Sequence, residues 1–473
     1  MKKIIFGIIL LFVAGIAGAQ TIVGGGIYQN TTWTLANSPY KMTGSIVVFP
    51  GVTLTIEPGV VVNVKESDIM NGEPAYYFEV RGALNMVGTP SQLITFKCDS
   101  FTTPVGAWNG FLIKNSQGGS INTDYVSISN TQIAFNWDAV IGYPLTFNDS
   151  YFAFNGYTIS TGTGANLKNC TFYGNNSAIS GWPDFQIINC IFDSNSAAIS
   201  VYPNSFILDS CILKNNSLAI NFASVPFNAM TIQHSTFTNN ALACGNVGNG
   251  NVRFNSFINN GDAVSGGTNA TIEENTFTGN AKAVITAMGA IVKNNIINQN
   301  TVGVQLGAMT FGQPAPTVID NQICGNSLYN IENLTDLNLN IPTNCFCDTD
   351  EILLETKIYD GYDDITRGLI SYAIYDSSCI NILKYVSKFP TSITDSENGM
   401  ESISLQPNPA VDLVQISNAD KIEMINIYST NGQLVSSVSP TNNTLDVSQL
   451  DKGIYQLQLI GEGKSILRRI VKM

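Results

Sequence analysis

The chain has 473 residues and a formal net charge of -13, yet only 12% of its residues are charged. Nucleic acids and anionic lipid surfaces are bound by clustered lysine and arginine side chains, so this acidic, charge-poor composition argues against both as partners. The length allows two or three domains.

The first 19 residues have the pattern of a signal peptide. Lys2 and Lys3 precede a mostly apolar run from residue 4 to 16, and Ala17-Gly18-Ala19 supplies the small residues of a cleavage site. A membrane anchor is the alternative, but the run is shorter than the ~20 residues that span a bilayer. We therefore expect a mature chain from Gln20 with no membrane span, located outside the cell or on its outer surface.

The middle of the chain repeats one apolar position every 20 to 26 residues, which we call the slot. Its nine copies are Phe152, Phe172, Phe192, Leu213, Phe237, Phe257, Phe277, Ile297 and Ile323. Three residues after every copy stands an asparagine, namely Asn155, Asn175, Asn195, Asn216, Asn240, Asn260, Asn280, Asn300 and Asn326. A period near 20 residues without helical spacing predicts stacked coils of short strands. The predicted fold is all-β, a parallel β-helix over residues 20–385, with asparagines at bends because asparagine tolerates left-handed backbone angles and its amide can bond to neighbouring coils.

Competing interpretations fit less well. A leucine-rich repeat needs recurring leucines, and a propeller needs longer repeats with a Trp-Asp signature, and neither is present.

Two residues before the slot stand Cys170, Cys190 and Cys211, followed in later copies by Ser235 and Asn255. A redox or metal site is one interpretation, but the Cys-x-x-Cys spacing of metal sites is absent, so buried bend residues are favoured.

The first coils carry recognisable motifs. The segments 50–59 (PGVTLTIEPG), 80–84 (VRGAL) and 94–96 (ITF), followed by Trp108-Asn109-Gly110, resemble the opening coils of secreted bacterial right-handed β-helix proteins. The resemblance covers roughly residues 30 to 376 and implies a right-handed solenoid. Loops near residues 66–76 and 99–107 bring acidic residues that are candidate calcium ligands. These are Glu66, Asp68, Glu73 and Asp99; no other cofactor is expected.

The end of the solenoid needs a cap, because the last coil would otherwise expose a pairing edge. Thr349 or Asp350 is predicted to cap a short helix that continues through Ile358 and ends near Gly361. The acidic residues of segment 358–364 are interpreted as a solvated cap rather than a metal site. They are Asp360, Asp363 and Asp364. Nine cysteines permit disulfides after export. At least one is expected among Cys324, Cys345, Cys347 and Cys379.

Residues 386–402 are a predicted linker, and residues 403–473 show about seven short strands, typical of a small Ig-like β-sandwich. In order and spacing this module resembles the C-terminal sorting domain of the type IX (Por) secretion system. The resemblance implies that the type IX machinery is a partner, and that the domain is removed when the cargo is released or attached to the surface. The motif residues are Pro407, Asn408, Pro409, Gly432, Gly453 and Tyr455.

The outward positions of the repeat carry the candidate functional residues. The single histidine, His234, occupies a bend column, and Arg253, Glu273 and Lys293 form a predicted surface ion-pair stack, so no catalytic residue is assigned. Outward aromatic residues at coil corners predict a platform for sugar rings, with turn shielding as the alternative. They are Trp182, Tyr202 and Tyr143. The predicted function is a monomeric carbohydrate-binding or adhesive β-helix with extracellular polysaccharide as a partner, and the alternative is a polysaccharide lyase or glycoside hydrolase acting on extracellular polysaccharide.

Overall fold

A computed structural model describes residues 20–66, 69–70, 73–99, 105–138, 144–222, 230–307, 314–386, 388, 403–417, 419–429, 433–440, 443–461 and 464–473. The predicted signal peptide lies outside these residues. The chain forms two compact units, one up to Asn300 and one from Thr301. Across the described ranges, no helix is long and apolar enough to cross a membrane.

The first unit is a stack of coils, and each coil contributes one strand to each of three parallel ladders. In a typical coil, Ala165–Lys168 belongs to ladder C, Thr171–Tyr173 to ladder A, and Ser177–Gly181 to ladder B. In ladder A, the slot residue Phe172 pairs with Phe192 of the next coil. Equivalent residues therefore lie directly above one another, which confirms the predicted parallel β-helix.

The strands of the first unit follow this scheme throughout. Thr21–Ile27 and Tyr40–Val48 each run from ladder A into ladder B. Ladder A continues through Val61–Val64, Ile94–Cys98, Val126–Ser129, Tyr151–Ala153, Thr171–Tyr173, Ile191–Asp193, Ile212–Lys214, Thr236–Thr238, Ser256–Ile258, Thr276–Thr278 and Ile296–Asn298. Ladder B contains Phe78–Val80, Phe111–Ile113, Ile133–Trp137, Tyr157–Thr161, Ser177–Gly181, Ala197–Val201, Leu218–Phe222, Leu242–Val247, Asp262–Gly266 and Lys282–Thr286. Ladder C contains Thr31–Trp33, Thr53–Ile56, Ala83–Val87, Ser120–Asp124, Leu145–Asn148, Ala165–Lys168, Asp184–Ile188, Ser205–Asp209, Met230–Gln233, Gly250–Arg253, Thr271–Glu273 and Ile291–Lys293.

The slot residues form the core. The rings of Phe172 and Phe192 stack with centroids 4.8 Å apart and planes 3° from parallel, and Phe257 and Phe277 repeat the arrangement at 4.8 Å. This distance equals the spacing of neighbouring strands, so an in-register column of rings is in contact along its whole length. All four side chains are fully buried. Each buried ring contributes roughly 1.5–3 kcal/mol of hydrophobic stabilisation.

The asparagines after the slot form a continuous hydrogen-bonded ladder. The Nδ2 of Asn175 donates to Oδ1 of Asn195 at 2.9 Å, and the backbone N–H of Asn175 donates to the same oxygen at 2.9 Å. A second bond from Nδ2 of Asn175 reaches the carbonyl of Phe152, one coil earlier, at 3.1 Å. The pattern repeats from Asn155 to Asn300. The predicted coil-to-coil amide bonding is confirmed, and it satisfies side chains that are otherwise buried.

The expected left-handed angles lie one residue earlier than predicted. Asn155 and its equivalents are not left-handed; the preceding residue is, as at Ser194 (φ 59°) and Asn215 (φ 57°). The full set of these preceding residues is Phe154, Gly174, Ser194, Asn215, Asn239, Asn259, Gly279, Gln299 and Gly325. The left-handed residue turns the chain between ladders A and B, and leaves the following asparagine pointing inward to bond its neighbours.

The cysteine column is structural, as expected. The sulfur of Cys190 accepts the backbone N–H of Cys170 at 3.4 Å, and the sulfur of Cys211 accepts that of Cys190 at 3.4 Å. One coil on, the Ser235 hydroxyl accepts from Cys211 at 3.0 Å, and Asn255 Oδ1 accepts from Ser235 at 2.9 Å. Thiol, hydroxyl and amide thus perform the same task, which is to accept one buried backbone N–H per coil.

The second unit contains the last coils and a cap. Its strands before the linker are Val302–Leu306, Thr317–Ile319, Gln322–Cys324, Tyr329–Asn333, Leu339–Ile341, Ile358–Tyr359, Ile370–Tyr375 and Ile382–Val386. The one α-helix of the described chain is Glu351–Glu355, and Asp350 caps it by accepting from the backbone of Ile352 and Leu353. Asp350 is confirmed as the cap, but the predicted extension through Ile358 is wrong, because Ile358 pairs in parallel with Ile331.

Two disulfides hold the cap, Cys324–Cys347 and Cys345–Cys379, which confirms and exceeds the prediction of at least one. The expectation of a solvated acidic cap is wrong for Asp360, whose side chain is fully buried. Its carboxylate accepts the backbone N–H groups of Tyr362 at 2.9 Å and Ile370 at 2.8 Å, and pairs with Lys388 Nζ at 2.9 Å. A buried carboxylate needs this set of donors to offset its lost hydration.

The C-terminal module forms two antiparallel sheets around its own core. One sheet contains Leu405–Gln406, Leu413–Ile416 and Thr444–Asp446, and the other contains Met424–Ser429, Leu434–Val438, Gly453–Gly461 and Lys464–Lys472. Seven described strands match the predicted number. Buried aliphatic residues from both sheets, including Val414, Ile425 and Leu457, pack together between them.

Candidate functional site

Two aromatic side chains project from successive coil corners between ladders B and C. Trp182 is 60% exposed and Tyr202 is 57% exposed, as predicted for outward positions. Coil-to-coil bonds fix their backbone: the N–H of Trp182 donates to the carbonyl of Thr161 at 3.1 Å, and that of Tyr202 donates to Gly181 at 2.9 Å. Among the described ring contacts, the two rings do not stack on one another. Tyr143 lies outside the described residues.

Gly181 explains how the corner accommodates Trp182. Its φ is 134°, and a Cβ at this position would lie 2.0 Å from the carbonyl oxygen of Thr161. Only glycine permits this close approach of neighbouring coils. The corner therefore holds the tryptophan on a tightly packed backbone rather than on a loose loop.

The predicted calcium ligands are only partly described. Asp99 pairs with Lys41 at 3.1 Å, Glu66 lies two residues after the strand Val61–Val64, and Glu73 pairs through its backbone with Met70. Asp68 and the side chain of Glu73 lie outside the described residues. Among the described side chains, the one group of three potential metal ligands is Cys345, Cys347 and Cys379, all of which are disulfide-bonded. Calcium binding stays a prediction.

His234 occupies a left-handed bend, with φ 50°, as expected. Its Nδ1 lies 3.1 Å from Oδ1 of Asp209, and its ring stacks on Phe254 at 5.5 Å. Burial raises the pKa of Asp209, but hydrogen bonds from Gln233, Ser210 and His234 outweigh it, so this pKa lies below its usual value. The pair is partly exposed on the outer surface of the solenoid, where it joins the side chains of two neighbouring coils.

The predicted ion-pair stack is only partly formed. Lys293 pairs with Glu273 at 3.0 Å, but Arg253 donates from Nη2 to Gln233 Oε1 at 3.1 Å, and its guanidinium lies 5.7 Å from the centroid of the Phe254 ring. Lys293 and Glu273 are thus engaged with each other, whereas Arg253 contacts a neutral amide and an aromatic ring. Such exposed pairs are typical of a solvated face and are worth little energetically.

A second group of exposed aromatic residues was not predicted. Tyr151, Phe154, Tyr157 and Tyr173 are between 36% and 49% exposed, and they lie on the outer face of ladder A and its bend into ladder B. We call these four residues the bend patch. The ring of Phe154 meets that of Tyr173 edge to face at 5.3 Å. A signal existed in the sequence, because Phe154 is the aromatic exception in a column of Asn, Ser, Gly and Gln.

Asn408, one of the predicted sorting-motif residues, holds the two ends of the C-terminal module together. The side chain of Asn408 donates to the carbonyl of Arg469 at 2.8 Å and accepts the N–H of Val471 at 2.9 Å, so it pairs with the last strand as a backbone would. Pro407 and Pro409 flank it. The Tyr455 hydroxyl donates to the carbonyl of Asp451 at 3.0 Å. Gly453 is the first residue of the strand Gly453–Gly461, which contains Tyr455. Gly432 lies outside the described residues.

Comparisons with known proteins fit this architecture. Residues 177–323 match the family model "Right handed beta helix region", and residues 404–473 match "Secretion system C-terminal sorting domain". No curated protein matches the chain. Among solved structures, the chain is similar to tailspike protein 3 of bacteriophage CBA120, with 13% identity and a TM-score of 0.32, covering 71% of this chain and 55% of that one. This chain thus spans about half the length of the tailspike.

A second similar structure is the A-module of the mannuronan C-5 epimerase AlgE6 of Azotobacter vinelandii, with 15% identity and a TM-score of 0.25, covering 62% of this chain and 83% of that module. The two family matches confirm the predicted handedness and the sorting module. The sorting domain indicates export by the type IX machinery to the cell surface or the extracellular space. The chain is therefore a secreted right-handed parallel β-helix protein that carries a C-terminal type IX sorting domain.

Proposed function

We propose that the exported β-helix binds extracellular polysaccharide on its outer surface, either as a carbohydrate-binding protein or as an adhesin. The observation that carries the proposal is the pair Trp182 and Tyr202, which are more than half exposed on successive corners of a tightly packed backbone. An aromatic ring that is apolar on its face and held rigidly loses little entropy when a sugar ring stacks on it.

The rest of the outer surface supports binding rather than catalysis. Asn204 and Ser205 are exposed beside Tyr202 and supply neutral hydrogen-bonding groups, whereas His234 is engaged with Asp209 and Lys293 with Glu273. A polysaccharide lyase or hydrolase is the alternative. An enzyme of this kind would degrade a polysaccharide in the presence or absence of calcium, whereas a binding protein would not. An activity screen with and without calcium therefore distinguishes the enzyme from the binding protein.

The proposal is tested with the double variant Trp182→Ala/Tyr202→Ala on an array of extracellular glycans. Loss of two stacking contacts of about 0.5–1.5 kcal/mol each should weaken binding by roughly tenfold or more. Gln186→Ala is the matched control, because Gln186 is exposed on the ladder C strand that follows Trp182 in the same coil. Equal glycan binding by the wild type and the double variant would contradict the platform, and a wild type that retains no glycan would contradict the function.

A further inference from the structure

The bend patch contains a backbone conformation that its sequence does not favour. Phe154 has φ 54°, in a column whose other members are Asn, Ser, Gly and Gln. Bulky side chains are disfavoured at left-handed positions, whereas asparagine and glycine adopt them readily. Strained residues of this kind are concentrated at functional sites. The fold alone would therefore be served better by asparagine at residue 154.

The ring of Phe154 is placed by its neighbours in the next coil. The N–H of Phe154 donates to the carbonyl of Tyr173 at 3.0 Å, and the two rings meet edge to face. Gly174 leaves room for the ring, since a Cβ at Gly174 would lie 2.8 Å from Cε1 of Phe154. The ring thus lies over a glycine bend, with part of its face open to solvent.

The three tyrosines are exposed on the same coil as this ring or on the next one. Tyr151 pairs with Thr171, and Tyr157 pairs with Ser177, so hydroxyl side chains lie beside both phenols in the next coil. Burial, Tyr173 and Asp193 raise the pKa of Tyr151. Its hydroxyl therefore stays protonated at neutral pH and is able to donate a hydrogen bond.

The charges near the patch select against an anionic ligand. Tyr173 pairs with Asp193 in the next coil, and Asp149 lies two residues before Tyr151. The nearby cation, Lys214, is engaged with Asp193 at 3.3 Å. Carboxylates at the rim of the patch repel polyanions such as uronate chains. Phenyl and phenol faces bordered by hydroxyl groups suit the opposite chemistry, an uncharged pyranose with one apolar face and a polar rim.

We infer that the bend patch is a second binding site, and that it takes neutral hexose oligosaccharides stacked on Phe154 and Tyr173. This site rests on the proposed carbohydrate-binding function and adds a substrate class to it. It lies between ladders A and B, whereas Trp182 and Tyr202 lie between ladders B and C.

The test uses the full chain and replaces patch residues by those of equivalent positions. Phe154→Asn introduces the residue found at the equivalent position 215, and Tyr173→Thr introduces the residue found at the equivalent position 238. The control is Ser194→Asn, a substitution in the same bend column as Phe154. Binding of cellohexaose, mannohexaose and an oligomannuronate is measured by calorimetry beside the Tm. We expect the patch variants to lose tenfold or more in affinity for a neutral hexamer, with no binding of the uronate. Relief of the strained bend keeps the Tm of Phe154→Asn within about 3 °C of the wild type, or raises it.

Each result decides between the two sites. Neutral-hexamer affinity that is unchanged in Phe154→Asn and Tyr173→Thr but lost in Trp182→Ala/Tyr202→Ala overturns the bend patch and leaves the proposed function intact. Loss only in the patch variants supports the bend patch as an independent site. A wild type that binds no hexamer overturns the inference, and tighter uronate binding overturns the assigned class. A fall in Tm above about 5 °C with unchanged affinity assigns Phe154 a structural role.

Discussion

Oδ1 of Asn216 accepts two hydrogen bonds from one residue, Asn195: the backbone N–H donates at 2.9 Å and the side-chain Nδ2 at 3.0 Å. Asn216 in turn donates to the carbonyl of Phe192 at 3.1 Å and to Oδ1 of Asn240 at 3.0 Å. A single buried amide therefore bonds to polar groups of the coil before it and of the coil after it.

Asn216→Ala should lower the free energy of unfolding by roughly 2–4 kcal/mol, because it leaves buried donors of Asn195 and a buried carbonyl without partners. Urea denaturation of the full chain, followed by far-UV circular dichroism, measures this loss. Asn251→Ala is the control; Asn251 is exposed on ladder C, and its replacement should change stability by less than about 0.5 kcal/mol. Equal effects of the two variants would show that the ladder does not stabilise the fold.

Replacement of Cys190 tests whether the column requires an acceptor or a thiol. Cys190→Ser should cost less than about 1 kcal/mol, since Ser235 accepts the same backbone bond two coils later. Cys190→Val should cost roughly 1–3 kcal/mol, because the N–H of Cys170 then has no acceptor. Thermal unfolding of both variants gives the comparison. If valine were tolerated as well as serine, only side-chain volume would matter in this column.

The cysteine inventory predicts a thiol count. The structure has five free cysteines and two disulfides, so titration in denaturant should detect five thiols without reductant and nine after reduction. In the native protein, the five thiols should react slowly, because all are buried and burial raises the pKa of Cys244. Nine thiols before reduction would show that the cap cysteines are unpaired.

Lys388→Met should destabilise the cap by roughly 3–5 kcal/mol, since it leaves the fully buried Asp360 without its cation. The contrast is Lys384→Ala, which removes an exposed pair with Glu351 and should cost less than about 1 kcal/mol. Limited proteolysis of the full chain reports opening of the cap in each case. Similar protease resistance of the wild type and Lys388→Met would contradict a stabilising role for this pair.

Deletion of residues 404–473 should abolish secretion, because the sorting domain is the part recognised by the type IX machinery. Asn408→Ala should reduce secretion, since the N–H of Val471 loses its acceptor and the first segment is released from the last strand. Gln449→Ala changes an exposed residue of the same module and serves as the control. Immunoblots of culture supernatant and cells give the ratio; full secretion of the deletion variant would refute the sorting role.

The sequence predicts the solenoid well because the same positions recur in each coil. Slot residues such as Phe172, and the asparagine three residues later, have one environment in every coil, so a repeated column reveals an inward position. Phe154 is not predicted for the opposite reason, because it departs from a column whose other members are Asn, Ser, Gly and Gln. Departures from a repeat are the better indicator of an outward site.

The cap was harder to predict because its contacts occur once. Asp360 and Lys388 are 28 residues apart and belong to no repeat, so an acidic segment appeared solvated. The disulfides were anticipated from local cysteine density, but the pairing of Cys345 with Cys379 depends on how the cap folds. Periodicity carries no information about such single tertiary contacts.

The asparagine ladder is also directional. Between the amides, each Nδ2 donates to the Oδ1 of its C-terminal neighbour, and at the N-terminal end the Thr131 hydroxyl and N–H donate to Oδ1 of Asn155 at 2.7 Å and 3.1 Å. Each coil therefore offers a hydrogen-bond acceptor to the coil before it and a donor to the coil after it. Any coil that carries the same two groups can be added to the stack. Duplication or loss of a whole coil preserves every bond of the ladder, so the length of this molecule is adjustable by evolution in steps of one strand spacing.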